Sequence, residues 1–138
     1  MGFLLDASIL IEHERGRLDL DGRVRDRKAG SGHEGVFLSV VTASEILHGV
    51  HRARDAASRG RRAAWAEAVI ARFPVLALDL AAGRAHARLW AHLAAEGRLI
   101  GPHDLWLAAV ALSRGLTLVT ANLRELGRVP GLLVEDWS

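Results

Sequence analysis

Short apolar runs alternate along this chain with stretches of helical periodicity, and that alternation constrains the fold more than any other feature. The runs cover residues 2–5, 36–41, 75–78, 116–120 and, more briefly, 132–135. Between them, residues 7–14, 42–54, 59–72, 80–96 and 105–114 read as helices, several with a stop such as Pro74, Gly97 or Gly115. Strands separated by helices form βαβ units, so the expected class is α/β with a mostly parallel sheet. Residues 18–33 are polar with alternating charge and lead into Ala29-Gly30-Ser31-Gly32, which reads as a short solvated helix and a flexible loop. Residues 121–126 read as a tight turn or one helical turn. No internal repeat or linker divides the 138 residues, so one domain over 1–138 is expected.

Composition removes whole classes of chemistry. There is no Cys, which excludes disulfides, zinc–thiolate sites, iron–sulfur clusters and cysteine nucleophiles. Lys28 is the single lysine, so any Schiff base would have to use it. No Walker A, GxGxxG or GxSxG pattern occurs, and the seven His show no HExxH spacing. Asp6 and Glu12 interrupt any N-terminal signal pattern, and no apolar stretch reaches the roughly 18 residues of a membrane span, so a soluble, cytoplasmic protein with no membrane partner is expected. The pI of 10.3 mostly reflects arginine and the lack of Tyr and Cys, since the net charge is only +2.

In open α/β sheets, ligands gather at the carboxyl ends of the strands. The first run ends at Asp6, the second is followed by Glu45, Asp104 opens the helix before the fourth run, and that run ends at Thr120-Ala121-Asn122 with Glu125 close behind. Carboxylates brought together raise one another's pKa, and a hard cation such as Mg²⁺ or Mn²⁺ removes that penalty. Such an ion can orient a water for in-line attack on a phosphodiester. Each residue also has a structural reading. Asp6 can cap the helix after it, Glu45 is the fourth residue of the capping-box pattern Thr42-Ala43-Ser44-Glu45, and Asp104 suits a helix N-terminus. Asn122 suits a turn, and Glu125 a solvated surface.

Four segments in order, Leu4-Leu5-Asp6-Ala7-Ser8, Val41-Thr42-Ala43-Ser44-Glu45-Ile46, His103-Asp104-Leu105-Trp106-Leu107-Ala108-Ala109 and Leu118-Val119-Thr120-Ala121-Asn122, resemble the successive motifs of PIN-domain proteins. The likeness is strongest to the VapC toxins of type II toxin–antitoxin modules, and the tail Gly127-Arg128-Val129-Pro130-Gly131-Leu132 continues it. The resemblance implies a PIN-like α/β/α sandwich with a central, mostly parallel sheet flanked by helices. It also implies a Mg²⁺- or Mn²⁺-dependent endoribonuclease that leaves 5′-phosphate and 3′-hydroxyl ends, a homodimer, and inhibition by a cognate antitoxin. Asp6, Glu45 and Asp104 match the family's three acids. Asn122 stands where a fourth acid is common, and Glu125 stands where Asp is common. Asp6 and Asp104 would be the main metal ligands, Glu45 a further ligand or the group that positions water, and Asn122 and Glu125 candidate additional ligands. Ser8 and Thr120 would hold carboxylates or metal-bound waters by hydrogen bonds.

Arg15, Arg52, Arg98 and Arg124 are candidate holders of RNA phosphates. Ile9, Ile11, Leu47, Val50 and Trp65 are candidates for an antitoxin groove, against the alternative of core packing. His103, unusual before Asp104, can bind phosphate or stand exposed at a helix start. Two other readings compete. A phosphatase with an aspartyl nucleophile wants Asp two residues after Asp6, where Ser8 stands. A catalytically weak or inert PIN-like module that binds RNA or a protein partner fits Asn122 in place of an acid. Setting aside the three acids at a metal leaves a charge of 2 + 3 = +5 on the rest, nearly all of its basic groups arginine.

Overall fold

The computed structural model describes residues 2–29 and 35–138, so the predicted loop at 30–33 lies outside the described residues. Five strands, β1 (Phe3–Leu5), β2 (Val36–Ser39), β3 (Val75–Leu76), β4 (Thr117–Val119) and β5 (Val134–Glu135), pair in the order β3-β2-β1-β4-β5. Every pairing is parallel, with Leu4 opposite Phe37 on one side and Leu118 on the other. The order reverses at β1, which makes the β1–β4 boundary the topological switch point where an α/β sheet opens a crevice.

Helices α1 (Ala7–Glu14), α2 (Leu20–Ala29), α3 (Val40–His51), α4 (Ala56–Arg72), α5 (Leu80–Ala95), α6 (Pro102–Arg114) and α7 (Leu123–Leu126) connect the strands. They bury both faces of the sheet. Phe3 and Leu5 of β1 join a core with Ile9, Ile46, Val50 and Ala66, while Leu4 joins a second core with Leu93, Leu107, Val110 and Leu118. Alternation of this kind along β1 follows from the period of two in a strand, and two-sided burial explains why the run has no polar member.

Three sequence readings need correction. The helix after β2 begins at Val40, two residues before the expected start, because Ser39 caps it by accepting the Thr42 backbone N–H at 3.2 Å. Thr42 instead donates its hydroxyl to the Leu5 carbonyl at 3.2 Å, so the capping box does not form and Glu45 is the sixth residue of α3. The second correction concerns α2. The helix is largely exposed as expected, but Leu20 and Val24 on it, and Leu18 just before it, are buried in the core, so it is solvated on one face only. Third, α4 begins at Ala56 because the Asp55 carboxylate accepts the Ser58 N–H at 2.7 Å, a cap that the reading from residue 59 overlooked. Elsewhere the strands are shorter than the apolar runs by one or two residues, and α6 gains its first three residues, with Pro102 at the first position.

Candidate functional site

Asp6 follows β1 at the switch point and is 5% exposed. Its carboxylate does not cap α1. Instead Oδ2 accepts from Thr120 Oγ1 at 2.8 Å and from Ser8 Oγ at 2.9 Å. The two hydroxyls are themselves oriented by the backbone after β4, since Asn122 N donates to Thr120 Oγ1 at 2.9 Å and Ala121 N donates to Ser8 Oγ at 3.1 Å. With those lone pairs occupied, each hydroxyl proton is free to point at Asp6. Oδ1 takes no hydrogen bond among the described residues, which leaves it available to a ligand.

Glu45 is carried to the same end of the sheet by α3, whose first turn is tied to β1 through Thr42. Its Oε1 lies 3.1 Å from His103 Nδ1. Asp104 is the third residue of α6, with Oδ2 accepting from Asn122 Nδ2 at 3.0 Å. The same Nδ2 reaches Glu125 Oε2 only at 3.5 Å, a much weaker contact. Asn122 thus acts as a donor toward two carboxylates, in keeping with an amide rather than an acid at that position.

The acids share one electrostatic field. Burial pushes the Asp104 carboxyl up to about 6, with the Asp6 charge adding to it; the Asn122 hydrogen bond works against the rise, and Glu125 adds to it. Glu45 is also raised, first by burial and then by Asp6, with His103 opposing and Asp104 adding. A raised pKa from burial together with neighbouring carboxylates is the signature of a site that a cation relieves.

The donor set fits a hard divalent ion in kind: carboxylate and amide oxygens, with no thiolate. Among the described residues no group of three or more His, Asp or Glu is arranged to hold a metal ion as it stands. Mg²⁺ commonly uses one or two carboxylates and keeps several waters, which Asp6 and Asp104 together can meet.

The structure divides the remaining predicted residues. Arg15 and Arg52 line a groove of about 590 Å³ that also holds Glu45 and His103. Arg98, just beyond α5, and Arg124, on α7, are exposed and make no side-chain bond to any of the acids. Of the apolar candidates, Ile9 and Val50 belong to the core and offer nothing to a partner, Leu47 packs against that core, and Ile11 and Trp65 line the groove. Sequence reasoning missed Arg62, also in the groove, although its spacing of three from Trp65 put both on one helical face.

Comparison with known proteins follows the same outline. The family model described as PIN domain matches residues 3–132. The tRNA(fMet)-specific endonuclease VapC of Shigella flexneri is 41% identical over 73% of this chain and 74% of its own length. A Ribonuclease VapC of Rickettsia bellii is 30% identical over 97% of this chain and 95% of that protein. The crystal structure of DNA-bound VapBC from Salmonella typhimurium superposes with a TM-score of 0.85 at 33% identity, covering 100% of this chain and 99% of the other.

Proposed function

The chain belongs to the PIN-domain family, among its VapC ribonucleases, and on that premise we propose that it is an endoribonuclease acting as the toxin of a toxin–antitoxin pair. Its substrate is RNA and its inhibitor a cognate antitoxin, in line with relatives named as ribonucleases and with the VapBC complex it resembles. The toxin is proposed to work as a homodimer. Among the described residues, no helix is long and apolar enough to cross a membrane.

The observation that carries this reading is the gathering of Asp6, Glu45 and Asp104 at the switch point of the sheet, where burial first and the charge of Asp6 second raise both Glu45 and Asp104. Asp6 and Asp104 would hold Mg²⁺ or Mn²⁺, with Asn122 and Glu125 at the margin. When bound, such an ion neutralises the acids and polarises the scissile phosphate. Ser8 and Thr120 fix the Asp6 carboxylate so that Oδ1 faces the ligand. Glu45 orients the attacking water and takes its proton, a task that suits a carboxylate whose pKa is raised. The water oxygen would bond to phosphorus as the bond to the 3′ oxygen breaks, and that oxygen would take a proton from solvent, giving a 5′-phosphate and a 3′-hydroxyl.

The purified chain, free of antitoxin, is expected to cut RNA in Mg²⁺ or Mn²⁺ and to stop in EDTA, with product ends of that polarity. A 2′,3′-cyclic phosphate, or cleavage undiminished in EDTA, contradicts the proposal. Asn122 donating to Asp104, with no group of three acids arranged around one ion among the described residues, favours a second reading as a weak or inert module that binds RNA or protein. Calorimetric titration with Mn²⁺ separates the two, because heat of binding lost in Asp104→Asn supports the enzyme.

A further inference from the structure

The three acids of the site are not held alike. Asp6 is fixed by the hydroxyls of Ser8 and Thr120, and Asp104 by the amide of Asn122. Glu45 has a longer side chain than either, so holding it in one orientation costs more rotamer freedom. Among the described residues, the one side chain placed to donate to it is His103, whose Nδ1 lies 3.1 Å from Oε1. The Glu45 side chain is 28% exposed and that of His103 63%, so the contact stands where the site meets solvent.

The start of α6 sets up this contact. Pro102 takes the first helical position, and His103 and Asp104 follow it. Successive residues of a helix point about 100° apart. His103 thereby reaches Glu45 on α3, while Asp104 reaches Asn122 beyond β4. An imidazole can present Nδ1–H to a carboxylate whether it is neutral or protonated, so the contact needs no charge on the ring. Nε2 of His103 makes no hydrogen bond among the described residues.

We infer that His103 is a positioning residue for Glu45: its Nδ1–H holds Oε1 and leaves Oε2 turned to the attacking water. The inference rests on the reading of Glu45 as the group that orients that water, and it adds what aims the carboxylate. A base that is itself oriented by a third group recurs wherever a nucleophile must be activated. Here the third group comes from the residue next to Asp104, so one helix start sets the attitude of two acids. A histidine that held a substrate phosphate instead would need its ring turned to the RNA, whereas Nδ1 is engaged by the acid. The two roles differ in kinetics, since a phosphate contact acts on KM and the aim of a base acts on kcat.

The test compares RNA cleavage in Mg²⁺ by the full-length wild type, His103→Ala and His103→Asn. Asn carries its amide nitrogen where the imidazole carries Nδ1, but it has no second nitrogen and no charge. His103→Ala should lower kcat about tenfold with KM within about twofold, and His103→Asn should recover most of the loss. Both variants should melt close to the wild type in EDTA, because the position is exposed. The metal-free protein gives a second readout. At about pH 8, where an ordinary imidazole is neutral, two-bond ¹H–¹⁵N correlations in EDTA should show His103 protonated at Nδ1, and Glu45→Ala should abolish that preference. A rise in KM at unchanged kcat in His103→Ala makes the ring a phosphate contact and overturns the inference. So does a His103→Asn no faster than His103→Ala, or a wild-type ring protonated at Nε2. A wild type that cleaves while His103→Ala matches it keeps the ribonuclease reading and loses this role alone. A wild type that does not cleave loses both.

Discussion

Thr120 donates a hydrogen bond of 2.8 Å to Asp6 across the single boundary in the sheet where strand order reverses. The bond joins the end of β4 to the end of β1, and the Thr120 hydroxyl is itself held by the Asn122 N–H. One backbone turn after β4 therefore sets the aim of the acid after β1.

Removing that hydroxyl should harm catalysis more than folding. Thr120→Val keeps the volume and deletes the donor to a buried carboxylate, so kcat should fall roughly ten- to a hundredfold, as for outer-shell partners of metal ligands. The loss of stability should be about 1–3 kcal/mol. Thr120→Ser should recover most of the rate. Steady-state cleavage beside urea unfolding checks both, and a Val variant with wild-type kcat contradicts the role.

Asp104 should work against stability at neutral pH. Its folded-state pKa is raised from 3.8 to about 6, so the folded state binds the proton more tightly than the unfolded chain. The stability from that proton is fully present below about pH 4 and is lost as pH rises through about 6. Asp104→Asn removes the penalty and still offers an oxygen to Asn122. In EDTA at pH 7 it should gain about 1–2 kcal/mol, less than the full shift implies because the group is only half-buried. That gain appears as a melting point a few degrees higher. It should vanish by pH 4, and Mg²⁺ should raise the melting point of the wild type more than that of the variant. A lower melting point for Asp104→Asn at pH 7 contradicts the account.

Ser39 and Glu45 separate the two possible caps of α3. Ser39→Ala leaves the buried Thr42 N–H without its acceptor and should cost about 1 kcal/mol. Glu45→Gln should cost nothing at pH 7, because Glu45 does not cap the helix and its ionised form is disfavoured. Chemical denaturation of both variants decides this, and a loss in Glu45→Gln comparable to that in Ser39→Ala would restore the capping box.

The alternation of runs was enough to read the parallel sheet, because a strand buried on both faces is mostly apolar and Phe3-Leu4-Leu5 is wholly so. That Asp6, Glu45 and Asp104 lie together at one end of the sheet was legible for a related reason: the carboxyl ends of the strands and the helices that follow them are where such a fold leaves polar groups open. The cap of α3 was misread because Ser39 sits inside an apolar run and looks like part of the strand. The burial of Leu18, Leu20 and Val24 was hidden by the charges between them. Arg62 was missed because its spacing of three from Trp65 marks a shared helical face, but not the groove that residues of α1 and α3 complete.

The central claim is that Asp6, Glu45 and Asp104 form one hydrolytic centre. Cleavage of a single RNA substrate in Mg²⁺ by folded Asp6→Asn, Glu45→Gln and Asp104→Asn tests it most directly. The account predicts that each variant loses at least about a hundredfold in kcat/KM, roughly 2.7 kcal/mol of transition-state stabilisation. Any one of them cutting at the wild-type rate would contradict it.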